Sequence, residues 1–380
     1  MKYDILVVGA GFAGACYART LAEANYKVLV IDQRPHVGGN AFDFIDENGI
    51  RRHQYGPHLF HTNNEKVVEW VSKFGAWVPY LHKVRAKLSD DTFVPLPINL
   101  ETINVFFGLK LETEEQVRAH LGSIALKIKN PQNAAEHLYS TIGKDLTDIF
   151  FRRYTKKMWS LDLEDMSVDV VKRIPLRFDR SELYFPNDKI QIVPRDGYTS
   201  IFQEIFRHKN IYLQLNEEFS KDSEGSFTHI FNSMPIDLYF DYEFGELPYR
   251  SIKFHHETSN MDLAQSWSVT NFTDDGPLTR QTAWHLLPHH HYLDTGRFTY
   301  TTEEPCDYRD NDFERYYPVK SADGRFDKVY QHYKDKAAQL AHMTFIGRCG
   351  TYQYLDMHQV INQSLAGAHH WLRANSKITS

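Results

Sequence analysis

An apolar run, Ile5-Leu-Val-Val8, ends in Gly9-Ala-Gly11-Phe-Ala-Gly14, and a second apolar run, Val28-Leu-Val-Ile31, closes on Asp32. A strand, a G-x-G-x-x-G turn, a helix and a strand ending in an acid together predict a dinucleotide-binding βαβ unit. In that reading Gly9 permits the tight strand-to-helix turn. Gly11 lets the backbone approach a pyrophosphate, Phe12 sits inside the turn, and Gly14 lets the helix pack on the strand. The helix N-terminus then faces the phosphates, and Asp32 accepts hydrogen bonds from a ribose.

The residues after the acid, Gln33 and Arg34-Pro-His-Val-Gly38-Gly39-Asn40, resemble flavoproteins that bind FAD through this fold. The expected cofactor is therefore FAD rather than NAD, with Gln33, Arg34, Gly39 and Asn40 among its contacts. A 380-residue chain, 42% apolar, supports a sizeable core and two or three domains. Its formal charge of -6 argues against a nucleic-acid partner, which would require a basic face. Cys16, Cys306 and Cys349 have neither metal-site nor disulfide spacing, so a reducing cytoplasm is the expected compartment. Lys2 and the apolar stretch behind it imitate a secretory signal, but removing them would remove the first strand of the nucleotide fold. No run reaches the ~18 apolar residues of a membrane span. The chain is expected to be soluble, without membrane association.

Met343-Thr-Phe-Ile346-Gly347 reads as a strand and turn, and Asp356 to Leu372 as a helix whose N-terminus would point at the cofactor. Helices are expected over Glu112 to Lys127, Asn133 to Ile142 and Asp145 to Lys157. Alternating strands are expected at Ser251 to His255 and from Phe298 to Thr302. The expected fold is α/β: a discontinuous Rossmann-like FAD-binding domain (1–100 and 335–380), an inserted helical domain (101–180) and a mixed region with an antiparallel sheet (181–334). His289-His290-His291 lacks the spacing of a metal site, and no metal is expected.

Tyr55-Gly-Pro-His58-Leu-Phe-His61-Thr-Asn63, Pro95-Leu-Pro-Ile-Asn99, Tyr154-Thr-Lys-Lys-Met-Trp159, Lys172-Arg173-Ile-Pro-Leu-Arg177-Phe, Tyr316-Tyr317-Pro-Val and Gly347-Arg348 through Tyr354-Leu-Asp356-Met-His-Gln-Val together resemble bacterial UDP-galactopyranose mutases. The resemblance runs nearly end to end. It implies a redox-neutral isomerase of cell-surface polysaccharide biosynthesis that contracts a nucleotide-linked galactopyranose to galactofuranose. In the family the N5 of reduced FAD is the nucleophile at the anomeric carbon, with NADH or NADPH as possible reductant. A homodimer or higher homo-oligomer is expected.

The resemblance also implies roles residue by residue. Arg173 and Arg280 match the diphosphate arginines, and Trp159 lies on a closing loop. Tyr184, Tyr317 and Tyr354 match phosphate contacts, and Tyr154 the aromatic that stacks on uracil. His58 and His61 fall beside the flavin and join the two arginines as catalytic candidates. His82 and Asn271 fall near the sugar, and Glu304 and Asp356 at acidic substrate-side positions. Arg348, Tyr354, Asp356 and Met357 complete the cofactor contacts, with His58. Arg177 is read as structural.

Departures bear on the sugar. Met158 and Ser160 flank Trp159 where Gln and Gly are usual, the stretch after Arg280 differs, and Asn232-Ser-Met-Pro235 replaces T-G-P. Met158 and Trp284 are expected to bring apolar atoms near the lid and Arg280, which keeps a dTDP-fucopyranose mutase open. His58, where arginine would favour an N-acetylated sugar, ranks UDP-N-acetylgalactosamine lower. An FAD-dependent oxidoreductase such as an amine oxidase, or a silent FAD-binding module, is the alternative in another class. Clustered arginines and tyrosines favour a diphosphate over an amine.

Overall fold

A computed structural model describes residues 2–172, 176–260, 265–291 and 295–375. The two apolar runs around the glycine turn form parallel strands, Ile5–Val8 and Val28–Asp32, joined by the helix Phe12–Glu23. All but the last residue of these strands are buried, the mark of a sheet covered on both faces. Ile211–Leu215, His229–Asn232 and Met343–Phe345 extend it to five parallel strands. The C-terminal helix Met357–Asn375 packs on Phe12–Glu23, covering one face with Val360, Ile361, Ala368 and Trp371.

A seven-stranded, largely antiparallel sheet stands beside it, its long strands being Tyr249–Ser259 and Phe298–Asp307. The sequence-expected strands are therefore present, each longer than its alternating core. The helical unit contains Leu100–Phe107, Glu114–Ile124 and Ala134–Leu146, then a π-helical turn, Thr147–Arg152, running into Arg153–Trp159. Thr113 and Gln116 form a capping box that starts the second of these helices, and the Asn133 side chain caps the third. Lys157 Nζ donates to the carbonyls of Phe272 and Leu278, and Arg250 to those of Lys157 and Met158, which fastens the end of this unit to the sheet.

The expected domain boundaries need correction. Ile211–Leu215 and His229–Asn232, inside the range assigned to the antiparallel region, belong to the parallel sheet. Val84–Lys87 and Phe93–Leu96, assigned to the nucleotide domain, pair in the antiparallel sheet. Each is a run of four or five residues, too short for its pattern to name its partner strand. No helix among the described residues is long and apolar enough to cross a membrane.

Candidate functional site

The glycine turn makes the first wall. Gly9 has φ +102°, a conformation that L side chains rarely adopt, and a Cβ on Gly14 would lie 1.9 Å from the Gly9 carbonyl oxygen. Gly14 thus lets helix and strand touch; it stands behind the cavity rather than on it. Asp32 accepts from the amides of Ala10 (2.7 Å) and Arg34 (2.9 Å), which locks the end of the second strand onto the turn. Gly11, the N-cap of the helix, brings no capping side chain, so the first-turn amides are left to a ligand.

From this turn a cavity of about 1760 Å³ runs to the antiparallel sheet and the helical unit. Its nucleotide end is lined by Gly9, Gly11, Phe12, Asp32, Gln33 and Arg34, with Gly39 and Asn40. Arg34 is pinned there by an ion pair with Glu314, by Asn40 Oδ1 at 2.9 Å and over the Tyr55 ring. Such a volume exceeds that of a single small ligand. A glycine cradle, uncapped helix amides and an acid at the strand end fit a bound dinucleotide with room for a second nucleotide beyond it.

The middle of the cavity carries His58, His61, Arg348, Tyr354, Asp356 and Met357. His58 Nδ1 lies 2.9 Å from the Gly56 carbonyl, which assigns the proton to Nδ1 and leaves Nε2 as an acceptor. Burial, reinforced by Arg348 and Arg280 and opposed by the Gly56 bond, pushes the His58 pKa down to about 4. His61 stacks on Phe185 at 3.6 Å, and its Nδ1 lies 2.6 Å from Asp188 Oδ2. The ligand atoms of His61, Asp356 and His358 all lie within 4.8 Å of one another, with His61 Nδ1 already engaged by Asp188.

At the far end three strands place one row of side chains on the same face. Asn271 is registered with Arg280, and Arg280 with Glu303. Arg280 Nη2 lies 3.1 Å from Glu303 Oε2, and the carboxylate is 1% exposed. Burial opposes the charge on Arg280, but Glu303, Tyr154, Tyr317 and Tyr184 outweigh it and hold the guanidinium protonated. Burial raises the Glu303 carboxyl, and Arg280 pulls it back. Tyr154 and Tyr317 are raised by burial, so both remain hydroxyl donors at neutral pH. Tyr317 stacks on Tyr354 with centroids 5.2 Å apart, Arg348 lies over both rings, and Trp159 closes on the pair at 5.8 and 6.1 Å.

His82 is buried in the adjoining wall, and burial, then Arg280 and His61, push its pKa down to about 3. Asn271 Oδ1 is buried and has no hydrogen-bond partner among the described residues. Tyr184 and Met158 also line this end.

Two expectations are corrected. Glu304 is not on the cavity: strand alternation turns it to the other face, where its Oε2 lies 2.7 Å from His255 Nε2, while neighbouring Glu303 enters the site. Trp284 brings nothing to the cavity; it is fully buried with Ile50 and Leu287, donating to Thr301 Oγ1 at 2.7 Å. Arg173 lies outside the described residues. Arg177 holds loops together through Asp179 and the Leu183 carbonyl. Sequence reasoning missed Glu303 and Asp188. The Glu303-Glu304 doublet signalled a carboxylate without saying which member faced inward, and nothing near Asp188 marked it.

A family model described as UDP-galactopyranose mutase matches residues 149–354, and one described as an NAD(P)-binding Rossmann-like domain matches 7–74. The chain is 36% identical over 383 residues to a dTDP-fucopyranose mutase of Escherichia coli, covering 98% of this chain and 99% of that protein. It is also 36% identical over 378 residues to a probable UDP-galactopyranose mutase of Klebsiella pneumoniae, covering 97% and 94%. Among solved structures, a reduced UDP-galactopyranose mutase superposes with a TM-score of 0.76 at 18% identity, covering 99% of this chain and 97% of that one.

Proposed function

The chain belongs to the UDP-galactopyranose mutase family of nucleotide-sugar pyranose/furanose mutases, and from that premise we propose that it interconverts UDP-galactopyranose and UDP-galactofuranose with FAD in the glycine-turn end of its cavity. The observation that carries the reading is Arg280. A guanidinium anchored by a buried carboxylate and surrounded by tyrosine hydroxyls, at the end of the cavity remote from the nucleotide cradle, is built for a second diphosphate.

When bound, reduced FAD supplies the nucleophile at the anomeric carbon. The chain's own residues do the rest. Arg280 meets the charge that develops on the departing diphosphate and keeps it in place for recapture, with the hydroxyls of Tyr184, Tyr317 and Tyr354 beside it and Tyr154 against the base. Trp159 covers the tyrosine pair and excludes water that would otherwise intercept the sugar. Neutral His82 and Asn271 Oδ1, which has no partner among the described residues, offer acceptors to sugar hydroxyls. The sequence resemblance gives Arg173 the same part on the diphosphate. An amine-oxidase reading has no use for Arg280 among its tyrosines.

The polar His82 and Asn271 favour a fully hydroxylated galactose. One observation favours dTDP-fucopyranose as the second reading: the Met158 side chain lines the cavity beside Tyr154 and Trp159, an apolar surface suited to a deoxy carbon. Kinetics with dithionite-reduced enzyme on UDP-galactofuranose and dTDP-fucofuranose decide between them. A preference for the deoxy sugar beyond roughly tenfold in kcat/KM, about 1.4 kcal/mol, transfers the assignment. Turnover by enzyme held oxidised would remove the mutase reading altogether.

A further inference from the structure

The histidine triplet His289-His290-His291 has no part in the chemistry above, yet its middle member is 1% exposed and faces His53. His290 Nε2 lies 3.0 Å from His53 Nε2, and His53, itself fully buried, accepts the His58 backbone amide on Nδ1 at 2.9 Å. His290 Nδ1 lies 2.7 Å from the Pro288 carbonyl.

Only one arrangement of protons satisfies all three contacts. His290 carries its proton on Nδ1, donating to Pro288, so its Nε2 is an acceptor. His53 accepts from His58 on Nδ1, so its own proton is on Nε2 and is donated to His290. The chain runs one way, from the His58 amide through two neutral rings to a backbone carbonyl. Burial keeps both rings neutral: it drives the His53 pKa well below the usual value and that of His290 down to about 4.

We infer that His290 is a positioning residue of the site, acting through His53 to hold the Gly56–His58 turn so that His58 presents Nε2 to the cavity. The inference rests on the cavity being the mutase site. A competitor shows why His290 is needed. The Asp43 carboxylate lies 4.0 Å from the same His53 Nε2. Without His290, that carboxylate is an acceptor within reach of a donor that has no access to water. Turning the ring toward it withdraws Nδ1 from the His58 amide. The His53 ring packs against Trp284 and Tyr198 at 5.0 and 5.5 Å, which keeps water from replacing His290.

The test compares His290→Leu, which removes the acceptor, with His290→Gln, whose amide oxygen reaches the same point. Two readouts are taken: hydrogen exchange of the His58 amide in the substrate-free protein, and kcat and KM of the reduced, FAD-loaded enzyme. For His290→Leu, His58 exchange should rise and kcat fall by roughly tenfold or more, with KM changed by less than about threefold. His290→Gln should keep both within about threefold of wild type. Unchanged His58 protection and kcat in His290→Leu would overturn the inference, as would equal losses in both variants. If His290→Leu does not fold, His53→Asn against His53→Leu repeats the comparison from the other ring, because the asparagine oxygen can still accept from His58. The exchange measurement needs no substrate, so it tests the positioning chain even if the wild type turns over no sugar nucleotide.

Discussion

Glu303 and Arg280 meet across neighbouring antiparallel strands, with Oε2 3.1 Å from Nη2 and the second carboxylate oxygen buried without a hydrogen-bond partner among the described residues. The pair fixes the guanidinium in the cavity wall before substrate arrives. Electrostatic stabilisation of this kind costs no reorganisation at the moment of reaction.

Glu303→Gln should therefore lower kcat/KM by roughly 10²-fold, because it frees Arg280 to reorient and removes its buried counter-charge. Glu304→Gln, on the outer face, should stay within about twofold, as exposed pairs contribute little. Steady-state kinetics of the two variants check the placement, and the reverse ranking would refute it.

Arg280→Ala should lower turnover by roughly 10²-fold or more, the size expected on losing a donor to developing charge. Arg280→Lys should recover only part of it, since a point charge cannot replace the planar fork. Arg173→Ala should lose turnover too and also raise KM, as the family resemblance implies for the second diphosphate arginine. Near-normal kinetics in both alanine variants would remove the diphosphate assignment.

Gly14→Ala places a Cβ 1.9 Å from the Gly9 carbonyl oxygen and 2.9 Å from Val7 Cγ1, where a backbone atom has to give way. The expected cost is about 1–3 kcal/mol of stability, with FAD lost on gel filtration. Thermal melting and the flavin absorbance of the purified variant measure this; a stoichiometric, normally stable holoprotein would contradict it.

Buried His82 and His290 have native pKa values pushed down to about 3 and about 4. Unfolded, each titrates near 6.5, so between that value and its native pKa the unfolded chain binds more protons. Stability should thus be intact above about pH 6.5 and fall as pH drops toward 4, each histidine steepening the loss by up to about 1.4 kcal/mol per pH unit. Denaturant melts of wild type and His82→Asn across pH 4 to 7 check the sign, with a shallower profile expected in the variant.

What the sequence determined by itself is local in origin. The glycine turn, its helix and its acid are consecutive, so their geometry follows from backbone freedom and strand periodicity within some thirty residues. Helices and alternating strands were legible for the same reason, and the caps Thr113 and Asn133 stand within or at the start of the ranges expected for the helices they begin. The resemblance named Tyr154, Tyr317 and Tyr354, all of which line the cavity, because each sits in a block of motif residues.

Tertiary structure decided whatever depended on a partner distant in the chain. Which of two adjacent glutamates enters the cavity depends on the register of Phe298–Asp307 against Arg280–Ala283, and a shift of one residue would exchange them. Trp284 read as a pocket residue from its nearness to Arg280 in the chain, but a short helical turn carries it into the core. The short strands Ile211–Leu215 and Val84–Lys87 took their sheets from packing rather than pattern. His290 became part of the site's support only because folding brought it to His53, 237 residues away. Such contacts leave no local trace, since the energy that selects them comes from burial shared between distant segments.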